Sequence, residues 1–259
     1  MQIITSIKNP LVVHTIKLVQ DKKYREEHQA FVIENTKLLD EAIANHAQIT
    51  HLFVDDNYYE KNYEQVFPYT LIQGMEIIRV SSSVCKKMSS NVQTGILFAI
   101  IKISDKEFIR SSSCLFLDHI QDPGNLGTIL RSAVAFNVPN IVLHNCADLY
   151  NPKTIKASMG AIFKINPLVM NEQSDAINFL KNTKLTKIAS ALLPNAISLK
   201  EVSKPTAYCL LVGNEGHGLN PLFIDCADLI AKINLHNTES LNVTTATSIF
   251  LYSLDNNEQ

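Results

Sequence analysis

Three short segments hold the side chains whose types and spacing could do chemistry. Residues 122–133 read DPGNLGTILRSA, 213–219 read GNEGHGL and 240–243 read SLNV. In the first, Asp122-Pro123-Gly124-Asn125 makes a strong turn, because Pro fixes φ and Gly tolerates positive φ. Asn125 can cap a helix that starts there. A helix N-terminus offers free N–H groups and a positive partial charge to an anion. Arg131 then lies roughly two turns into that helix. In the second segment, Gly213, Gly216 and Gly218 let a backbone approach a flat or charged ligand closely. Glu215 is expected to hydrogen-bond that loop or its ligand. In the third, Ser240 and Asn242 precede an apolar helical run (Val243, Ala246, Ile249, Phe250, Leu251). They serve as caps, or they point into a ligand pocket beside the strand end near Ile233 and Leu235. Taken singly, each segment also reads as an ordinary turn, a glycine loop or a cap.

The elements around these segments decide whether they can meet. CLFLDHI (114–120), AYCLLVGN (207–214) and LIAKINL (229–235) are strand-like runs that lead into them. Further strands are expected at NIVLHN (140–145), IFKINPLVM (162–170) and KIASALL (187–193), with helices at 126–137, 152–160, 174–182 and 241–254. Near-continuous apolar strands alternating with helices imply a parallel sheet covered on both faces. Polar loops at the strand ends of such a sheet are where ligands bind.

Before the Ser-rich stretch SDKEFIRSSS (104–113), a smaller α/β pattern is legible. It has an amphipathic helix at 11–22, strands at FVIE (31–34), HLFVDD (51–56), EIIRV (76–80) and GILFAII (95–101), and helices at 36–45 and 81–89. Thr36 can cap the 36–45 helix, and a polar, Tyr-rich helix or loop follows HLFVDD. The domains expected are therefore 1–104 and 114–259, joined by a linker at 105–113.

Composition narrows the function classes. No run of about 18 apolar residues exists, so no membrane span is expected. The first residues, MQIITSIKNPLVV, show no basic region followed by a long apolar stretch, so no secretory signal is expected. The five cysteines, an odd number without CxxC spacing, fit a reduced, cytoplasmic setting. The His residues show no HxxxH companions, and no metal is expected. Net charge is −2, yet residues 151–190 carry six Lys against Glu172 and Asp175. Residues 8–25 are also rich in Lys, so a basic face is possible on a mildly acidic molecule. GNEGHGL is neither a P-loop nor a dinucleotide fingerprint, since no Gly-Lys-Ser/Thr follows and the spacing differs. A nucleotide-dependent oxidoreductase and an ordinary Rossmann-type methyltransferase are both disfavoured, for want of an early Gly-rich turn.

Jointly, in this order and spacing, the segments resemble the SpoU–TrmH family of RNA 2′-O-ribose methyltransferases, of the knotted SPOUT class. The family's first motif, an Asn followed six residues later by an Arg, matches Asn125 and Arg131. Its Gly-x-Glu-Gly-x-Gly loop matches Gly213, Glu215, Gly216 and Gly218, and its Ser-Leu-Asn-Val matches Ser240 to Val243. NPKTIKASMGAIFKI (151–165) is similar to the segment between the first two motifs. ITSIKNPLV through KKYREEHQAFVIENTKLLDEAI is similar to the family's substrate-binding domain, which is related to ribosomal-protein-like RNA binders. Three departures stand out: Asn35 where Gly is common, Asn234 where Pro is usual in a loop that is here short, and Thr244 for Ser.

The resemblance implies an α/β chain: a C-terminal parallel-sheet domain with a trefoil knot and a smaller N-terminal RNA-binding domain. It implies S-adenosylmethionine as donor, held around Gly213, Ile233, Leu235 and Leu241. The reaction implied is 2′-O-ribose methylation of structured RNA, ribosomal and 23S-type, with transfer RNA or an inactive RNA-binding module as alternatives. Arg131 stands where the family is thought to place its base. A guanidinium stays protonated, so gripping phosphate and steadying a developing alkoxide describes it better. Asn125, Glu215, Ser240 and Asn242 would orient it and the ribose. Lys8, Lys22, Lys23, Arg25, Lys153 and Lys156 are the expected RNA contacts, and a homodimer is the expected assembly.

Overall fold

The chain divides into two compact units, seen here in a computed structural model that describes residues 3–71, 77–90 and 95–255. The first unit runs through Asp105 and also takes in Tyr150–Lys156. The second comprises Lys106–Leu149 and the chain from Ala157 on.

The first unit contains α1 (Pro10–Gln20), α2 (Lys22–His28), β1 (Ala30–Glu34), α3 (Thr36–Ala44), β2 (Ile49–Asp55), α4 (Asp56–Lys61), α5 (Tyr63–Leu71), β3 (Ile77–Val80), α6 (Ser82–Met88) and β4 (Leu97–Lys102). Its sheet has the order β1-β4-β2-β3; β1 and β2 run antiparallel to β4, and β3 runs parallel to β2. Val12, Leu18, Phe53, Met88 and Phe98 fill one core against it. The strand expected at 76–80 is present as Ile77–Val80; Glu76 lies outside the described residues.

Two local differences from the sequence reading have plain causes. The helix expected over 11–22 ends at Asp21, which adopts an extended conformation and whose carboxylate caps a second helix by accepting from Lys23 N and Tyr24 N. Arg25 on that second helix is 4% exposed. Its Nη1 donates to Leu18 O at 2.6 Å and Val19 O at 3.2 Å, the last carbonyls of α1. Arg25 therefore clamps the helix corner, and the expectation that it contacts RNA is corrected. The cap of α3 is Asn35, at φ 92°, rather than Thr36; its Oδ1 accepts from Leu38 N.

The second unit contains β5 (Cys114–Asp118), α7 (Pro123–Ala135), β6 (Asn140–His144), α8 (Pro152–Ser158, whose first residues group with the first unit), β7 (Asn166–Met170), α9 (Gln173–Asn182), β8 (Thr186–Ser190), β9 (Ile197–Ser198), β10 (Tyr208–Val212), α10 (Pro221–Ile224), β11 (Leu229–Lys232) and α11 (Val243–Leu254). The sheet has the order β7-β6-β5-β10-β8-β11-β9, and every pairing is parallel. β5, β6 and β10 are buried throughout, as expected for strands covered on both faces. The run 162–170 is not one strand. Gly160 turns left-handed, Ala161–Phe163 form a 3₁₀ turn packed on α7, and the strand starts at Asn166. Burial of Ile162 and Phe163 is met by that turn, so apolarity alone misassigned them. β9 and α10, each four residues or fewer, lack a periodic signature long enough to read.

Candidate active site

Strand order in the large sheet reverses between β5 and β10. From β5 the chain proceeds outward through β6 to β7, while on the other side β10 is followed in order by β8, β11 and β9. Open parallel sheets bind ligands in the crevice outside the carboxyl ends of strands at such a reversal. The three segments singled out above follow β5, β10 and β11 and so gather at that end.

The first segment is fixed by Asp122 rather than by Asn125. Asp122 caps α7, its Oδ1 accepting from Asn125 N at 2.7 Å. This corrects the expected cap and leaves the Asn125 side chain available. Its Nδ2 donates to Glu215 Oε1 at 2.5 Å, joining the first segment to the second. The glycine loop closes on itself: Asn214 and Gly218 exchange two backbone hydrogen bonds, at 3.0 and 2.9 Å. Asn214 Oδ1 accepts from Gly216 N and His217 N, and its Nδ2 donates to His119 O at 2.9 Å. Gly213 is required here, because a Cβ would lie 2.2 Å from Leu219 N and 2.3 Å from Gly218 C.

Beside this loop is a cavity of about 360 Å³. Gly213, Ile233, Leu235 and Leu241 all line it, together with Glu215 and Ser240. Sequence reasoning missed its other wall, Ser190–Leu193 at the end of β8, although the same strand-end rule applied to that apolar run. Apolar side chains and loop backbone suit a flat ring with a short polar tail. Asn234, which stands in for a proline, anchors its loop by donating from Nδ2 to Ser198 Oγ at 3.2 Å.

Arg131 and Asn242 are not in the cavity wall. Asn242 caps α11, its Oδ1 accepting from Thr244 N at 2.8 Å and from Thr244 Oγ1 at 2.6 Å. α11 packs along α7, where Ser132 and Ser248 hydroxyls meet at 2.8 Å. Arg131 projects from α7, exposed, with no hydrogen bond or ion pair among the described residues. Of the lysines, Lys8, Lys22, Lys23, Lys153 and Lys156 are exposed, and Lys22 lies 3.7 Å from Glu26.

A group not found by sequence reasoning sits at the ends of β5 and β6. Asp118 and His144, opposite one another in register, are almost fully buried. Asp118 Oδ1 accepts from His119 Nδ1 at 2.6 Å and from His144 Nδ1 at 2.8 Å, while its Oδ2 accepts from Asn220 N at 3.1 Å. Among the described residues these three are the one group of metal-ligand type. Their ring nitrogens lie closer to the carboxylate oxygen than the roughly 3 Å or more that separates ligands of one ion bound at about 2.1 Å. Two N–H···O⁻ hydrogen bonds account for the distances. Cys146, just beyond β6, is a thiol pushed up to about 12 by burial. All five cysteines are free.

Comparison with known proteins agrees with this geometry. Residues 112–252 match the model of the SpoU rRNA Methylase family, and residues 9–99 match the MRM3-like substrate binding domain. The 23S rRNA (guanosine(2553)-2′-O)-methyltransferase RlmP of Bacillus subtilis is 29% identical over 256 residues, covering 98% of this chain and 99% of that protein. An uncharacterized tRNA/rRNA methyltransferase of Synechocystis is 31% identical, covering 96% and 92%. The crystal structure of an AdoMet-bound rRNA methyltransferase from Sinorhizobium meliloti superposes with a TM-score of 0.83 at 27% identity, over 98% of this chain and 97% of that one. A parallel sheet with three converging loops, and a family model spanning most of the second unit, have one common explanation: the chain belongs to the SpoU rRNA methylase family.

Proposed function

We propose that this protein transfers a methyl group from S-adenosylmethionine to a ribose 2′-hydroxyl of ribosomal RNA. The observation that carries the reading is the meeting of Gly213, Glu215, Ile233, Leu235, Ser240 and Leu241 around one cavity, tied to the start of α7 through Asn125 and Glu215. The cavity fits the donor. Its volume is at the lower end of the roughly 300–1,000 Å³ usual for small-ligand sites, and its walls offer apolar surface with backbone groups at the polar end. When bound, S-adenosylmethionine supplies a methyl carbon already activated on positively charged sulfur.

The protein then has to hold the ribose in line, exclude water and manage one proton. Gly213 and the closed loop shape one wall, and Ile233, Leu235 and Leu241 keep it dry. Arg131, without a partner among the described residues, grips the phosphate beside the target ribose and stabilises charge developing on oxygen. Glu215, held by Asn125, orients the incoming sugar. Lys8, Lys22, Lys23, Lys153 and Lys156 bind phosphates of the structured RNA. A homodimer belongs to the same reading, supported by apolar side chains exposed on α11, Ile249 and Tyr252. The knotted path implied by the family is likewise part of it.

The test is transfer of labelled methyl to purified ribosomal and transfer RNA, followed by nuclease digestion and mass spectrometry. A 2′-O-methylnucleoside in 23S-type RNA is the expected product. Methylation of transfer RNA alone reassigns the substrate, a methylated base reassigns the acceptor atom, and RNA binding without transfer makes this an inactive binding module.

A further inference from the structure

A second cavity lies at the amino end of the seven-stranded sheet, away from the donor cavity. Its volume is about 660 Å³, larger than that of the donor cavity, and the two share no lining residue. Residues 108–111 before β5, 182–186 between α9 and β8, and 205–207 before β10 surround it. The five residues of β5 alone put about 16 Å of strand between the two ends of the sheet, at about 3.3 Å per residue.

The walls are held in place by named contacts. Phe108 and Phe179 meet edge to face, ring centroids 5.7 Å apart, and pack on the core of this unit. The Asn140 side chain holds both the N–H and the carbonyl of Ile109, and Ser112 N donates to Ile109 O at 3.1 Å. That turn carries Arg110 and Ser111 at its tip. Ser113 Oγ accepts from Tyr208 N at 3.2 Å, which ties the same segment to the start of β10. Thr183 N donates to Phe179 O at 3.0 Å and closes α9 just before Lys184.

Charge decides the sign of a ligand here. Arg110 and Lys184 line the cavity and no Asp or Glu does. Both cations are exposed, with no hydrogen bond or ion pair among the described residues. The Asp228 carboxylate, at the foot of β11, is already engaged by Lys187 and does not offset them. An Arg and a Lys together suit a phosphate. The remaining wall is more than a phosphate needs. Phe108, Phe179, Leu185 and Pro205 give ring and aliphatic surface, and the Ser111, Thr186 and Thr206 hydroxyls have no hydrogen bond among the described residues. Rings that take bases beside cations that take phosphates are how proteins hold unpaired nucleic acid. The volume is within the roughly 300–1,000 Å³ usual for a ligand of that size.

We infer that this cavity is a second RNA site, which takes one unpaired nucleotide of the substrate RNA remote from the methylated ribose; this rests on the RNA reading given above. The base lies against Phe108 and Phe179, the phosphate on Arg110 and Lys184, and the sugar meets the hydroxyls. A nucleotide held at the amino end adds to affinity and to the choice of RNA without touching the reacting atoms.

The test is direct binding of purified ribosomal RNA by the full chain. In the double variant Arg110→Glu, Lys184→Glu both side chains are exposed, so melting temperature and calorimetric affinity for S-adenosylmethionine should hold. Its Kd for RNA should rise at least about tenfold, and the slope of log affinity against log salt should become shallower by about 0.7 for the phosphate lost. Lys200→Glu reverses an exposed charge outside the cavity and should change Kd less than about twofold. Phe108→Leu keeps apolar bulk but removes the ring, and should weaken RNA binding at least about fivefold. RNA carrying 4-thiouridine should crosslink under light to peptides containing Phe108 or Phe179. A double variant whose Kd moves no more than that of Lys200→Glu overturns this site, and so does tight binding of a free nucleoside monophosphate that RNA does not displace. RNA that binds as expected but is not methylated overturns the reaction and leaves this site standing. A wild type that binds no RNA overturns both.

Discussion

The two ends of the seven-stranded sheet both bury polar side chains, but they treat them differently. At the amino end, Asn140 opens β6 and is fully buried. Its Nδ2 donates to Ile109 O and Ser113 O, and its Oδ1 accepts from Ile109 N and Asn166 Nδ2. Every valence is met within the protein, and the result is to bind the residues before β5 to the sheet. At the carboxyl end, Asp118 is just as buried and just as connected, yet the groups it positions keep capacity in reserve. His119, whose Nδ1 meets Asp118, is half exposed, and Arg131 nearby in sequence has no partner among the described residues. Buried polar groups that are saturated specify structure; those that orient an unsaturated neighbour are where a ligand completes the network.

That contrast breaks most visibly at Arg131. Arg131→Ala should lower methyl transfer by about 10³-fold or more, equivalent to about 4 kcal/mol of transition-state stabilisation, with an unchanged melting temperature and unchanged donor binding. Single-turnover kinetics beside calorimetry check this. A large loss of thermal stability would place Arg131 in the structural class instead.

The mirror experiment is Asn140→Ala. It strands several part-buried backbone and side-chain groups, each worth on the order of 1 kcal/mol when left without a partner. Stability by urea denaturation should fall about 2–4 kcal/mol, while activity per folded molecule stays at the wild-type level. Gly213→Ala tests the region between these extremes. Its Cβ would press on the backbone at Gly218 and Leu219, so the loop must open. Donor affinity should drop at least about tenfold, or about 1.4 kcal/mol, with a smaller loss of overall stability than Asn140→Ala shows.

How much of this was legible beforehand depends on distance along the chain. The glycine loop, the turn at Asp122 and the start of α11 were readable because turn and cap chemistry is local, decided within four residues. The parallel sheet was readable from the burial-driven composition of its strands. The convergence of the three segments was readable from the strand-end rule for parallel sheets and, more specifically, from family resemblance, since nothing in any one segment names its partners. What stayed hidden were contacts between distant residues. Asp118 meets His144 and Asn220, which are 26 and 102 positions away. LFLDHI therefore looked like a strand and nothing more. Arg25 looked like one more cation in a basic stretch, because charge does not reveal that a side chain turns inward to cap the preceding helix.

The smallest expected effect sharpens the amino-end side of the comparison. Asp228 precedes β11, and its Oδ2 accepts from Lys187 N at 2.7 Å and faces Lys187 Nζ at 2.9 Å. Partial burial alone would raise its pKa, but the hydrogen bonds and charge of Lys187 outweigh that and hold it below the ordinary carboxylate value. A depressed folded pKa means the contribution is complete above the unfolded value of about 3.9 and is lost as pH falls through the folded one. The side chain is 49% exposed, so solvent screening keeps the contribution under about 1 kcal/mol. Asp228→Asn should therefore melt slightly below wild type between pH 6 and 8, and the gap should close as the solution is brought below about pH 4. A gap that widens in acid would mean that Asp228 is not paired in this way, and that the amino end of the sheet also carries a group whose partner is missing.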